Sequence, residues 1–360
     1  FLTGTICAHR CQNKCTRNFY EESVQIRDTK LVAAYHGYDA LMASIKKPAK
    51  VSGKKAAIIG GGPTGIAAAY FLGRAGIPVT IFEKSHKLGG VPRLVIPGFR
   101  IREEAMEKDI ALMQFYGAEV KLNTPAPSVA ELKAMGYTHI FFAVGAGKAG
   151  KLDIPGNVVP VIQWLRDLKA EKEVPLGHVA VVGGGNVAMD VALTAKRLGA
   201  KTVKLVCLEQ REEMPASAEE VAMAEEEGVQ IYNGWGLGAV TTDENGKVSG
   251  LRAKRCLAVR DEKGRFNPQY DESDTMLLDS DFIILATGQR VDVGFLGKLA
   301  EQMKTPRGLI DADVESGKTP ASRYYAGGDA VTGPNLAIRA IRAGRSAAQS
   351  ILRDLGTQSE

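Results

Sequence analysis

The sequence predicts an α/β protein built from two Rossmann-like three-layer units, each on a parallel sheet. Three observations carry this. Residues 58–65 read IIGGGPTG and residues 181–188 read VVGGGNVA. Each is an apolar run, then Gly-x-Gly-x-x-Gly or Ala, then an apolar helical pattern, which is the order that cradles a dinucleotide phosphate. Each is followed, about 20 residues on, by an acidic residue at the end of the next apolar run, Glu83 in the first case and Glu209 in the second. Finally, strand-like and helix-like segments alternate along the chain, which implies parallel sheets. One glycine-rich match alone is a weak signal. Two in tandem imply two nucleotides held in one molecule, and the chemical reason to hold two is to pass electrons between them.

Residues 1–45 are polar and cysteine-bearing, and helix-like over roughly 28–45. The stretch KKPAKVSGKK (46–55) is basic and carries Pro48 and Gly53, the chemistry of a boundary. AAIIG opens the first unit as a strand. Residues 64–73 follow as an apolar helix stopped by Gly76, and IPVTIFEK is the second strand, ending at Glu83. Helical periodicity over 102–117 gathers Ile110, Met113 and Phe115. GAEVKLN is a strand carrying Val120, and THIFFAVGA (138–146) is a buried strand that runs into Gly145. LDIPG (152–156) and a helix near 161–170 lead into the second unit. There HVAVVGGG is the strand, NVAMDVALTAKRLG the helix, and TVKLVCLEQ the second strand, ending near Glu209. DSDFIILATG (279–288) closes that unit at Gly288 and echoes 138–146. A last segment, RYYAGGDAVTGPNLAIRAIRAGRSAAQSIL, gives a strand, a Gly-Asp turn and a long Ala-rich helix. The expected division is a cysteine-bearing helical segment over 1–45, one nucleotide domain over 51–155 with 289–360, and the other over 156–288.

A chain of 360 residues is long enough for two or three domains with buried cores. Apolar content is 45% and charged content 24%, ordinary for a globular protein. Acidic and basic residues are interspersed and the net charge is only +5, so no nucleic-acid surface is expected. No apolar run is long enough to span a bilayer. Cys7, Cys11 and Cys15 fall where a secretion signal needs an apolar core, so the expected location is cytoplasmic. The chain begins at Phe1, and we expect it to be a piece of a longer protein. Of its five cysteines, Cys207 and Cys256 read as core thiols. No C-x2-C or C-x4-C pair follows the first glycine-rich loop, which disfavours redox-disulfide chemistry.

At the first loop, Gly60 permits the tight turn, Gly62 lets backbone approach a pyrophosphate, and Gly65 lets helix and strand pack closely. A helix starting at Pro63 and Thr64 offers free N–H groups and a positive dipole end to phosphate. Glu83 is placed to accept hydrogen bonds from both ribose hydroxyls. A ligand-free glycine turn is the plain alternative, but it does not account for the full order of strand, loop, helix, strand and Glu.

The order GGGPTG, then Glu83 with Lys84, then LGGVPRLVIPGFRI (88–101), then AGGDAVTGPNLAIRAI (326–341) resembles the glutamate synthase small-chain family of iron–sulfur flavoproteins. The resemblance covers nearly the whole chain. The opening FLTGTICAHRCQNKCTRN looks most like the branch of that family named for selenate reduction. The resemblance implies FAD at the first loop, with Gly89, Gly90 and Val91 near the isoalloxazine ring and Asp329 at the ribityl–phosphate region. Asn335, Leu336 and Ala337 would present a helix N-terminus to the flavin pyrimidine edge, where it stabilises negative charge on the reduced ring. Val120, Gly145 and Gly288 complete the expected cofactor-binding set.

GGGNVAMD (183–190) matches the family's nicotinamide-nucleotide loop: Gly183 and Gly185, then Val187, with Ala188 as the small third residue. Asn186 is expected to cap the helix and sit beside the pyrophosphate. The family usually carries Tyr-Arg-Arg seven residues before Met-Pro, the arginines gripping the 2′-phosphate of NADPH. Here the stretch is Cys207, Leu208, Glu209 ahead of Met214 and Pro215. A carboxylate suits a ribose 2′-hydroxyl and repels a 2′-phosphate, so NADH is expected over NADPH, although Arg211 could swing in and rescue NADPH.

The resemblance also implies [4Fe–4S] clusters at the N-terminal segment, held by soft thiolate ligands. Cys7, Cys11 and Cys15 match the family's run but are short of a four-thiolate set. Clusters are therefore expected only in a longer protein whose other ligands precede Phe1. A zinc site using His9 is a weaker alternative. The expected activity is that of an FAD-dependent NAD(P)H oxidoreductase, with hydride passing from NAD(P)H to FAD and electrons then going to iron–sulfur clusters and an acceptor subunit or domain. No catalytic side-chain acid or base is expected. The rivals are a diaphorase or quinone reductase and a cofactor-bound structural subunit.

Overall fold

A computed structural model describes residues 1–149, 158–305 and 307–357. LDIPG and the expected boundary between 155 and 156 lie outside the described residues. The chain divides into two compact units, Phe1–Lys148 with Gln289–Glu360, and Ala149–Gly288.

The first unit is built on a five-stranded sheet in the order Tyr324–Ala326, His139–Phe142, Ala56–Ile59, Val79–Phe82, Glu119–Lys121. Every neighbouring pair is parallel. Its central strands are buried on both faces, which is why they read as continuous apolar runs rather than alternating ones. Alternation still divides the two cores. Ala56 and Ile58 face one side, packed with Leu72, Met106, Met113 and Ile351 from three helices: Pro63–Arg74, Glu103–Phe115 and Ala337–Asp354. Ala57, Ile59 and Phe142 face the other, packed with Leu132, Leu296 and Met303. The Pro63–Arg74 and Ala337–Asp354 helices cross in close contact. A Cβ added at Gly344 would lie 2.1 Å from the Thr64 carbonyl oxygen, so only glycine allows this approach.

Residues 1–45 do not stand apart from this unit. Leu2, on the short helix Leu2–Thr5, is 2% exposed and belongs to the same core as Ile58 and Met106. The helix Ile26–Ser44 begins close to where the sequence placed it, and none of its residues is buried.

The second unit repeats the sheet pattern. The strand order is Val158–Pro160, Phe282–Leu285, His178–Val182, Thr202–Cys207, Gln230–Asn233, again wholly parallel. One face carries the helices Val161–Lys169 and Asn186–Arg197, the latter burying Ala188, Met189, Val191, Ala192 and Leu193. The other face is covered by a three-stranded antiparallel sheet, Trp235–Thr242, Val248–Arg260 and Phe266–Asp279. Leu251, Ala253 and Leu278 from that sheet pack on Ala180, Val182, Ile283 and Leu285. Here an antiparallel sheet forms the third layer.

Two turns build this antiparallel sheet, and they share one chemistry. In DENGK the Asp243 carboxylate accepts from the N–H groups of Asn245 and Lys247, and Gly246 sits at φ +76°. In DEKGR Asp261 accepts from Lys263 and Arg265, with Gly264 at φ +72°. An Asx-type turn followed by a left-handed glycine is a hairpin signal.

Candidate functional site

In the first unit the glycine-rich loop lies at the C-terminal end of Ala56–Ile59, where open parallel sheets place ligands. Its glycines differ in the reason they must be glycine. Gly60 has φ +107°, and a Cβ there would stand 2.4 Å from the Ala143 carbonyl oxygen. At Gly65 a Cβ would fall 2.0 Å from the Gly60 carbonyl oxygen. Both glycines serve the chain's own packing. Gly62 does not. Its φ of −77° and ψ of −176° suit any residue, and a Cβ there would meet nothing nearer than the Gly90 Cα at 3.9 Å. The space beside Gly62 is free of protein, as a phosphate cradle requires.

Gly62 is the N-cap of the Pro63–Arg74 helix, with Pro63 at its first position, so the first amide groups of the helix have no side-chain cap. Glu83 is 6% exposed. Its Oε2 accepts from the Gly61 N–H at 2.7 Å and its Oε1 from the Ser85 N–H at 2.8 Å. These two bonds aim the carboxylate along the loop and leave it lone pairs for further donors. The Gly89 N–H donates to the Gly61 carbonyl at 2.8 Å, and Gly90, at φ +57°, would bring a Cβ within 2.9 Å of Gly62. The Gly328 position closes against the same helix, where a Cβ would sit 2.2 Å from Thr64 Oγ1.

The structure thus brings Gly60, Gly62, Pro63, Thr64, Gly65, Glu83, Gly89, Gly90 and Gly328 into one neighbourhood, with Val91 next along the helix Gly90–Leu94. The Lys84 side chain is exposed, and Val120 packs partly buried against the sheet core. Gly145 has φ +66° with open space around it. Leu336 is the N-cap of the last helix, which begins at Ala337, and Asn335 Oδ1 accepts from the Leu336 N–H at 2.8 Å.

Asp329 follows Gly328 in a half-buried setting. Burial pushes its carboxyl up to about 6, opposed only by the backbone N–H of Asn335. An ordinary aspartate titrates near 3.9. A folded value above the unfolded one means that its contribution to stability is complete below about pH 4 and is lost as pH rises through about 6. In protein stripped of ligands, we expect Asp329→Asn to remove that loss, gaining at most about 3 kcal/mol at pH 7 relative to wild type. Thermal unfolding of both proteins from about pH 4 to pH 7 checks this. Parallel curves would refute it.

The second unit repeats the loop with the same division of labour. Gly183 has φ +140°, and a Cβ there would meet the Ala286 carbonyl oxygen at 2.8 Å. Gly185, with φ −93° and ψ 172°, needs no glycine for its backbone and has nothing within 4 Å of an added Cβ. Ala188 is fully buried. Gly185, not Asn186, is the N-cap, so the expected capping role of Asn186 is corrected. Asn186 is the first helical residue, and its Oδ1 instead accepts from the Ser217 N–H at 2.9 Å. With Ala216 N–H donating to the Gly184 carbonyl at 3.0 Å, this ties residues 216 and 217 to the loop. Val187 is partly buried beside it.

Glu209 stands just past the Thr202–Cys207 strand, where a Cβ on Gly184 would lie 2.9 Å from its Oε2. Asn233, which sequence reasoning missed, holds this position: its Nδ2 donates to the Glu209 carbonyl and to Cys207 Sγ, both at 3.2 Å. Burial, with the Glu209 charge next, pushes the Cys207 thiol up to about 12. Arg211 is paired with Glu225 at 2.7 Å. Gly288 ends this unit exposed, at φ +61°.

At the N-terminus Cys7 and Cys15 are half-buried and Cys11 is exposed. Among the described residues no three His, Cys, Asp or Glu side chains converge to hold a metal ion. Neither the three thiols nor the pairing with His9 fits a metal site by themselves. No helix among the described residues is long and apolar enough to cross a membrane.

Residues 54–344 match the pyridine nucleotide-disulphide oxidoreductase family. The chain is 34% identical to YgfK, a candidate oxidoreductase of Escherichia coli (strain K12), over 98% of its own length and 34% of that protein. It is 32% identical to the glutamate synthase (NADPH) small chain of Azospirillum brasilense, over 97% of its own length and 77% of the relative. It thus spans about a third of the first relative and most of the second. Mycobacterium tuberculosis FprA, solved in complex with NADPH, shares the fold with a TM-score of 0.67 at 15% identity, covering 84% of this chain and 85% of FprA.

Proposed function

The chain belongs to the pyridine nucleotide-disulphide oxidoreductase family, in its glutamate synthase small-chain branch, and from that premise we propose that it moves hydride from NADH to bound FAD and passes the electrons to an acceptor subunit or domain. The observation that carries this reading is the pair Gly62 and Gly185. Each is a glycine that the fold itself does not require, at the head of a helix, beside space that protein leaves open. Two such openings, each followed by a carboxylate, suit two dinucleotides.

FAD, when bound, supplies hydride acceptance and the release of single electrons. This chain's residues bind and orient. Gly60, Gly62, Gly65 and the helix head at Pro63 and Thr64 would seat the FAD pyrophosphate, and Glu83 would take the ribose hydroxyls with its remaining lone pairs. Gly89, Gly90 and Val91 would border the ring, with Asp329 and the helix start at Asn335, Leu336 and Ala337 completing that side. Gly183, Gly185, Asn186, Val187 and Ala188 would seat the nicotinamide nucleotide, with Glu209 on its 2′-hydroxyl. Lys84, Val120, Gly145 and Gly288 would flank these positions. No side chain need act as acid or base, since the residues supply orientation and electrostatics. Dithiol chemistry has no place in this route: within residues 54–344 the cysteines are Cys207 and Cys256, both free and buried. Cluster chemistry at Cys7, Cys11 and Cys15 would need ligands beyond this chain's. The setting proposed for this chemistry is cytoplasmic.

Anaerobic rapid mixing of the yellow protein with NADH tests the proposal. Loss of the flavin band at about 450 nm within the turnover time is expected. A flavin that stays oxidised would favour a structural subunit and overturn it.

A further inference from the structure

The end of the first unit's sheet opposite its glycine-rich loop holds a cavity of about 370 Å3, in the size range of small-molecule sites. Among the described residues, Lys133, Tyr137, Thr138, Ser322, Arg323 and Tyr324 line it, and no carboxylate does. These residues precede or begin the strands His139–Phe142 and Tyr324–Ala326, whereas the dinucleotide loop follows the other end of the sheet. The cavity therefore has no part in the hydride route.

Its charge is one-sided. The Lys133 ammonium stands 5.5 Å from the Tyr324 ring centre, and that of Lys55, which does not itself line the cavity, stands 4.1 Å from the Tyr137 ring centre. Both rings are buried, at 8% and 4% exposure, so the cations rest on low-dielectric walls that focus their field. Among the described residues, Asp and Glu form no ion pair with Lys55, Lys133 or Arg323. The Thr138 hydroxyl is already engaged with the Lys55 carbonyl at 3.0 Å, while Ser322 is exposed.

Arg323 is the telling residue. Its φ is +70°, a left-handed conformation that glycine adopts freely and arginine does not. The backbone around it is pinned: its carbonyl accepts from the Ile140 N–H at 3.1 Å, and the Tyr324 N–H donates to Ala321 at 3.3 Å. A strained, exposed arginine is thus held among the residues that line a basic cavity. Arginine's planar fork matches carboxylate and phosphate oxygens.

We propose that this cavity binds a small multivalent oxyanion, carrying phosphate or several carboxylates, with Arg323 as its bidentate partner and Lys133 as a supporting charge. The site is separate from both dinucleotide loops, and its test reads binding rather than turnover.

The FAD-loaded protein would be titrated with pyrophosphate and, separately, with citrate, each against sodium chloride at matched ionic strength. Heat of binding and Tm would be followed. Saturable binding of at least one anion is expected, and the stronger of the two identifies phosphate or carboxylate as the recognised group. Arg323→Gly should raise or preserve the anion-free Tm, because it relieves the strain, while weakening binding by about tenfold or more. Lys133→Gln, on an exposed helix position, should fold normally and weaken binding less. Absence of saturable binding by either anion, or binding unchanged in both variants, would overturn the proposal.

Discussion

Gly62→Val should purify as a folded but colourless protein. The backbone at Gly62 lies in the extended region open to any residue, and an added Cβ meets only the Gly90 Cα at 3.9 Å. The valine side chain would then occupy the space the fold leaves empty, directly at the head of the Pro63–Arg74 helix, and deny it to a pyrophosphate. We expect flavin affinity to fall by about a hundredfold or more, with the Tm of flavin-free protein close to that of flavin-free wild type. Gly65→Val is the contrast. There a Cβ lies 2.0 Å from the Gly60 carbonyl oxygen, so strand and helix must separate and the fold itself suffers. Flavin content from the visible spectrum, read beside the two Tm values, distinguishes the two kinds of glycine. Full flavin occupancy in Gly62→Val would show that the first loop is not the FAD site.

That contrast also marks how far the sequence could be read. The glycine spacing and the following acidic residues revealed both loops, because a tight turn and a close helix–strand contact admit few other residues. The spacing did not distinguish a glycine kept for packing from one kept for a ligand. That distinction depends on which backbone atoms approach from elsewhere, such as Ala143 at Gly60 and Ala286 at Gly183. Asn186 has the right composition for a cap, yet its oxygen goes to Ser217, a partner 31 residues away that no local pattern marks. Arg323 is equally silent in sequence, since nothing about an arginine before Tyr-Tyr announces a left-handed backbone. The antiparallel sheet is a different case. Its turns, DENGK and DEKGR, repeat one hairpin chemistry in plain view. Its strands, half exposed and studded with Lys, Arg, Asp and Glu, lack the continuous apolar runs that made the parallel strands conspicuous.

Glu209→Arg should invert the choice of nicotinamide nucleotide. In the wild-type protein the carboxylate stands beside Gly184 at the end of the second unit's second strand, its backbone fixed by Asn233. A ribose 2′-hydroxyl can donate to it, whereas a 2′-phosphate would meet like charge. The preference for NADH over NADPH in kcat/KM should therefore be about tenfold or more. Replacing the carboxylate by a guanidinium removes the repulsion and adds a charge-assisted, potentially bidentate contact to phosphate. Together these amount to about 3–4 kcal/mol, a swing of roughly a hundredfold to a thousandfold in the ratio. Because the contact is made equally before and during hydride transfer, the change should appear in KM and leave kcat nearly constant. Arg211 supplies the internal control. Its guanidinium is tied to Glu225 in an exposed pair, which holds it only weakly. Glu225→Gln should free it and raise activity with NADPH by a small factor, without approaching the effect at position 209. The glutamate synthase small chain of Azospirillum brasilense is named for NADPH, so the outcome is not implied by kinship. Steady-state rates with both nucleotides for the three proteins decide it. A wild-type preference for NADPH would mean that the carboxylate faces away from the nucleotide and that Arg211, or a residue not yet identified, carries the recognition.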